Sequence, residues 1–289
     1  MTPSPLRSHP ATRPVLLLGS LLLFAIPVSA QTTVLYNATA GTTPGAQGSL
    51  VLGNVGAVPA TETFQTGPPA VANLNSSANQ STYAGYSNYN VSPAAPLLGF
   101  TTTTPVNPAF PALNAANGFT LSFTMQLVSE SHTNNDRAGF SVLLLGSDKK
   151  GIEIGFQSGG VFSQSTAFTQ AETNFGPTLP SLLASLTAYD LRIQGSTYTL
   201  LTGNTTLLTG AVRDYTGAAG FGSEVYRTSN FVFLGDDTTS AGANINLARV
   251  SITANTAAPE PGSGLLALLG AALPAAAWLR RRERRANRG

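Results

Sequence analysis

Carboxylates are the side chains with the widest chemical reach here, and their spacing decides which reactions are open to the chain. A retaining glycan-cleaving site on a β-sandwich needs two acids on one face of a strand, as E-x-D-x-x-E or E-x-D-x-E. That spacing sets the roughly 5 Å between nucleophile and acid. No such array occurs in the 289 residues. Glu153 stands alone in Gly151-Ile-Glu-Ile-Gly155, and strand alternation turns it away from Ile152 and Ile154 as a lone solvated or groove-edge carboxylate. His132 is the one histidine of the body and sits in the loop-like run Ser129 to Asp136, so the sequence spells out no Ser-His-Asp relay and leaves this histidine solvated. Cysteine is absent, which together with so little histidine removes a zinc centre. No glycine-rich phosphate loop opens a helix. The sequence therefore predicts no catalytic residue and a protein that is not an enzyme.

Two binding chemistries remain. Hard cations take carboxylate, amide and backbone oxygens, so Asp236, Asp237 and Asn244, with Asn134, Asn135 and Asp136 from another loop, form a candidate calcium site. The alternative is that Asp236-Asp237 is a polar turn between strands. Tyr83, Tyr86 and Tyr89, together with Asn88 and Asn90, form a candidate aromatic and amide surface for sugars. Alternatively, these are loop residues that pack down onto the fold.

The elements that must position these groups read as strands. Phe119, Leu121, Phe123, Met125 and Leu127 alternate with Thr120, Ser122, Thr124 and Gln126, the period of a strand buried on one side. Ala138 to Leu145 and Gly151 to Phe156 flank a polar loop as a hairpin, and Leu191 to Gln194 and Thr197 to Leu201 flank Gly195-Ser196 as another. Further strands are expected at Thr33 to Tyr36, Ser49 to Leu52, Thr205 to Leu208, Asn230 to Leu234 and Asn244 to Thr253, with a looser stretch from Val58 to Asn117. The single helical candidate of the body is Leu179 to Leu186, kept short by Pro180. Regularly spaced short strands predict an all-β sandwich.

The two ends have a different character. Arg7 and Arg13 precede an apolar run, Val15 to Ile26, and Val28-Ser29-Ala30 gives the small-residue spacing that signal peptidase reads. Cleavage is expected between Ala30 and Gln31, with an uncleaved anchor as the alternative. At the other end, Pro259-Glu260-Pro261 is followed by an apolar run from Gly264 to Leu279 that includes Leu265, Leu268 and Leu269. As a helix it is somewhat shorter than the roughly 30 Å hydrocarbon core of a bilayer. Trp278 suits the interface, and Arg280, Arg281 and Arg282 with three further arginines mark the cytoplasmic side. Setting both ends aside leaves seven of the 15 Lys and Arg and 11 of the 13 Asp and Glu, a net charge of about −4. The pI near 9.0 belongs to the ends, so no nucleic-acid partner is expected. The domains expected are a signal peptide (1–30), a β-sandwich (31–255) and a sorting and anchor segment (256–289).

Tripeptide, apolar run and arginine end together resemble the PEP-CTERM sorting signal of Gram-negative bacteria. That resemblance implies export to the cell surface or extracellular matrix, with signal peptidase and an exosortase-type membrane protease as partners and a link to exopolysaccharide. The stretches DRAGFSVLLLGSDKKGIEIGF (136–156), YDLRIQGSTYTLLTG (189–203) and NFVFLGDDTTSAGANINLARVSI (230–252) resemble the concanavalin-like or laminin-G-like jelly roll of bacterial surface proteins. This resemblance runs from about Gln31 to Thr253 if the first strands close the sandwich beside the last. The function these resemblances imply is structural or adhesive, with a lectin-like carbohydrate-binding module and a glycan-cleaving enzyme as alternatives.

Overall fold

The structure, a computed structural model, describes residues 30–93, 100–219 and 223–256. Ala30 and Gln31 open its first strand. The remainder of the expected signal peptide, the Pro259-Glu260-Pro261 tripeptide and the expected anchor with Leu265, Leu268, Leu269, Trp278 and Arg280 to Arg282 lie outside the described residues. Among the described residues no helix is long and apolar enough to cross a membrane.

In chain order the strands are β1 (Ala30–Asn37), β2 (Val51–Val55), β3 (Thr61–Gln65), β4 (Val71–Asn75), β5 (Tyr83–Ser87), β6 (Tyr89–Pro93), β7 (Phe100–Pro105), β8 (Phe119–His132), β9 (Phe140–Leu145), β10 (Lys150–Gln157), β11 (Gly160–Gln164) and β12 (Gln170–Asn174). A five-residue helix, α1 (Leu179–Leu183), precedes β13 (Thr187–Gln194), β14 (Thr197–Thr202), β15 (Thr205–Ala211), β16 (Arg213–Asp214), β17 (Phe231–Asp236) and β18 (Ala241–Asn255). Two antiparallel sheets result. The first runs β15-β14-β13-β8-β18-β4-β3, with β1 also on β18, and the second runs β12-β11-β10-β9-β17-β5-β2, with β16 on β10. β6 and β7 form a separate ribbon.

The alternation in β8 places Phe119, Leu121, Phe123, Met125 and Leu127 in the interior, while the Thr, Ser and Gln residues between them stay partly exposed. Its partner β18 lies along almost its whole length, from Ala241↔His132 to Ala254↔Phe119, and the other edge of β18 accepts β1 from Ala30↔Asn255 to Asn37↔Arg249. The first strand thus closes beside the last, as expected. Packed face to face, the two sheets share one core in which Phe123 of β8 stacks on Tyr189 of β13 (5.4 Å) and meets Phe156 of β10 edge-on (6.0 Å). Edge and offset geometries of this kind favour the ring quadrupoles.

The stretch from Val58 to Asn117 is not loose: it holds β3, β4, β5, β6 and β7. Proline and asparagine there punctuate five- and six-residue strands instead of dissolving them. Tyr86 in particular is a core residue of β5, fully buried, and its hydroxyl reaches across to Glu62 Oε1 on β3 of the other sheet (2.9 Å).

The two faces of β8 should separate cleanly in mutants. Phe123→Ala should cost about 3–5 kcal/mol and lower the melting temperature by roughly 2–4 °C for each of them, whereas Thr124→Ala should stay within about 0.5 kcal/mol. Thermal denaturation of both variants checks this, and comparable losses would contradict the assignment of faces.

Candidate functional site

The outer face of the second sheet carries a second layer of side chains. A row of small residues crosses five strands in register, Gly53 (β2), Gly85 (β5), Gly235 (β17), Ser141 (β9) and Gly155 (β10). Aromatic rings lie over it. A Cβ on Gly85 would stand 2.4 Å from Cζ of Phe233, and one on Gly155 would stand 2.5 Å from Cζ of Phe162. On Gly235 a Cβ would meet the backbone of Ala84 and Gly85 at 2.3 Å. The glycines leave the space that these rings and the neighbouring strand backbone occupy.

The chain after β16 supplies the covering layer. Its backbone pairing at Lys150↔Asp214 sets Tyr215 down on β10, where the Tyr215 hydroxyl donates to Gln164 O (2.7 Å) and accepts the Glu153 N–H (3.3 Å). A 3-10 turn over Ser223–Arg227 then brings the Tyr226 hydroxyl to Glu153 Oε2 at 2.5 Å. Phe168 stacks on Tyr215 (5.9 Å) and meets Tyr226 edge-on (5.2 Å). Arg227 ties the turn back to the chain before it through Thr216 O (3.1 Å) and Ala218 O (2.5 Å).

Glu153 does point away from Ile152 and Ile154, as strand alternation requires. It is not solvated, however: it is 3% exposed, and Tyr226 lies on it. The sequence shows the side of the strand but not the segment, some seventy residues later, that covers it. Burial pushes the Glu153 carboxyl well above the usual carboxylate range, and the negative charge of Asp237 adds to the shift. Burial likewise raises Asp237, against a Ser141 hydrogen bond and the charge of Arg137. Next to it, Asp236 is pushed up to about 9 by burial, although Ser76 Oγ donates to its Oδ2 (2.6 Å) and the Thr238 N–H to its Oδ1 (3.2 Å).

Beside this layer lies a cavity of about 250 Å³. Its wall includes the rings of Phe168, Tyr226, Phe231 and Phe233, and its polar groups include Tyr83, Arg137, Asp237 and the threonines that follow. The loop bearing Arg137 is clamped from beneath. Gln157 Nε2 donates to Asn135 O (2.8 Å) and Arg137 O (2.7 Å), and Gln164 Nε2 donates to Asp136 O (2.7 Å).

The three tyrosines of the candidate sugar surface separate. Tyr83 lines the cavity, Tyr86 lies in the core, and Tyr89 packs on Phe231 (6.1 Å) with its hydroxyl on Ser229 O (3.0 Å). Of the candidate calcium ligands, Asp236, Asn244 and Asp136 each take part in hydrogen bonds. Both Asp236 oxygens are bonded as above, Asn244 Oδ1 accepts from Asn73 Nδ2 (2.6 Å), and Asp136 Oδ1 accepts the Gln170 N–H (2.8 Å). Among the described residues no group of three or more His, Cys, Asp or Glu is placed to hold a metal ion. His132 ends β8 and is not fully solvated, with Nδ1 against Glu130 Oε1 (2.8 Å). Arg137, Phe168, Phe233 and Tyr226 join the site without any local sequence signal.

No protein-family model and no curated protein sequence matches this chain. Among solved structures, it is similar to a carbohydrate esterase from the Shiga toxin-encoding bacteriophage phi24B (8% identity, 78% of this chain and 100% of that one, TM-score 0.47). It is also similar to botulinum neurotoxin type C, which depends on interaction with two ganglioside molecules to get into cells (12% identity, 83% and 51%, TM-score 0.43). A third likeness is to the alginate lyase from Corynebacterium sp. (8% identity, 67% and 81%, TM-score 0.38). All three TM-scores lie below 0.5.

The buried acids make stability depend on pH. A carboxyl near 9 in the folded state and about 3.9 unfolded keeps its proton in the native protein across that interval and has lost it in the unfolded chain. Its contribution to stability is therefore complete below the unfolded value and disappears as pH rises through the folded one. The melting temperature should fall between pH 5 and pH 8. Asp236→Asn can still accept from Thr238 and donate to Ser76, so it should flatten that slope. Calorimetric scans across the range decide, and an unchanged slope in the variant would contradict the assignment.

Proposed function

We propose that this chain is an exported component of the cell surface or extracellular matrix, delivered by a PEP-CTERM signal, whose sandwich holds a saccharide in the cavity over its second sheet. The observation that carries the binding reading is the cavity itself. Rings form much of its wall, and a few polar groups converge on it from separate elements, the usual make-up of a small-ligand site. Flat apolar ring faces suit the C–H faces of a pyranose, while Asp237, Tyr83 and Arg137 offer hydrogen bonds to its hydroxyls. At about 250 Å³ it falls just below the roughly 300–1,000 Å³ of typical ligand pockets, a size for one ring rather than a long chain segment.

The sandwich is of the concanavalin-like jelly-roll kind, supported by two large antiparallel sheets packed face to face and by β1 closing on β18. The role is adhesive or structural, without turnover. The missing acid array on any one strand and the capping of Glu153 by Tyr226 both support that reading. Signal peptidase, an exosortase-type protease and exopolysaccharide are the partners that accompany it. The membrane is reached through the C-terminal segment.

A glycan array probed with the purified protein tests the binding reading. Signal from at least one saccharide, weakened about tenfold or more in Tyr83→Ala and unchanged in Thr124→Ala, is the expected result; equal signal from all three proteins would refute the cavity as the site. Export is tested separately by N-terminal sequencing of protein recovered from the cell surface. It should begin at Gln31, and an intact chain confined to the cytosol would refute delivery.

A further inference from the structure

Arg137 is the one cation lining the cavity among the described residues. Its backbone is fixed by Gln157 and by a turn bond from its own N–H to Asn134 O (3.0 Å). The guanidinium is anchored by one end: both of its hydrogen bonds among the described residues leave from Nη1, to Asp136 O (2.9 Å) and to Phe168 O. The Nε and Nη2 edge carries none there, and that edge makes the parallel pair of bonds with which arginine grips a carboxylate. None of the ion pairs among the described residues includes Arg137.

Asp237 faces the same space. It lines the cavity, and the charge of Arg137 is felt at its carboxyl, yet the two do not meet as an ion pair. An oriented cation with its fork open and an acceptor lining the same cavity suit a ligand bearing both a carboxylate and hydroxyls on one small ring.

We propose that the cavity selects an acidic sugar, with the Nε and Nη2 edge of Arg137 gripping a uronate carboxylate, Asp237 accepting a hydroxyl of the same ring, and the aromatic wall covering its apolar face. This rests on the saccharide reading of the cavity and adds the ligand class. A neutral sugar would leave the arginine fork without an anionic partner. A simple carboxylate would leave Asp237 and the rings without a role.

Calorimetric titration of the full-length protein tests the proposal. The probes are oligomers of galacturonate, of mannuronate and of glucuronate-containing chains, each compared with its uncharged methyl ester. At least one acid should bind about tenfold or more tighter than its ester, the difference expected when a charge-assisted bidentate contact is lost. Arg137→Lys keeps the charge without the fork and should lose most of that preference, and Arg137→Gln should lose all of it, with melting temperatures showing that each variant is folded. Should neither variant fold, the acid-to-ester ratio of the unaltered protein decides alone. Acid and ester binding alike, neutral sugars binding in preference, or full preference retained in Arg137→Lys would overturn the inference while leaving the saccharide reading intact. Absence of binding to any acidic or neutral sugar would overturn both.

Discussion

A sheet covered on both faces must fit two layers of side chains onto the same strands, and that constraint governs the candidate site. On its inner face the second sheet contributes Phe140, Val142, Ile152, Ile154 and Phe156 to the core. On its outer face Tyr215 and Tyr226 pack over Leu143, Leu145 and Phe231, and the rings of Phe233 and Phe162 must lie across neighbouring strands, where close packing leaves no room for a second side chain at the same spot. The register of Gly53, Gly85, Gly235, Ser141 and Gly155 resolves this conflict. Glycine within a strand costs conformational entropy and contributes no contact of its own, so a row of four in register needs a physical reason. The rings of Phe233 and Phe162, lying where Cβ atoms would stand, provide it.

The covering layer also explains the electrostatics. Glu153 is an acid buried in the middle of a sheet, and a buried carboxylate must be paired or keep its proton. Here burial pushes it towards the protonated form and Tyr226 supplies a hydroxyl. Asp236 has the same solution on the other side of the strand end, with Ser76 and the Thr238 amide as partners. Arg137 differs: its loop is held by glutamine side chains and backbone carbonyls, so its position is set by neutral groups and its charge is left facing the cavity.

The first sheet was legible because its outer face meets water. One apolar side and one polar side produce strict alternation, so β8 could be read residue by residue and the β13–β14 hairpin followed from Gly195-Ser196. The second sheet was legible only in part. The hairpin of β9 and β10 was evident from its polar loop, but burial on both faces erases the period-two contrast, and all six residues of β9 are buried. The strands from β3 to β7 were obscured by turn residues that mark the ends of short strands as readily as they mark a loop. Tyr83, Tyr86 and Tyr89 show the same limit. Spacing of three is not a strand period, and the three side chains go to the cavity, the core and the covering layer.

By itself the sequence determined the class of fold, the strands that face water on one side, and the lack of a paired-acid array. These are properties of residue order along single strands or of composition. Only the tertiary structure decided that Glu153 is sealed under Tyr226, that four glycines and Ser141 align into a row across five strands, and that Arg137, Asp237 and Tyr83 border one cavity. Each of these depends on which distant segments lie side by side, and long-range register is fixed by packing of the whole sandwich, not by any local pattern.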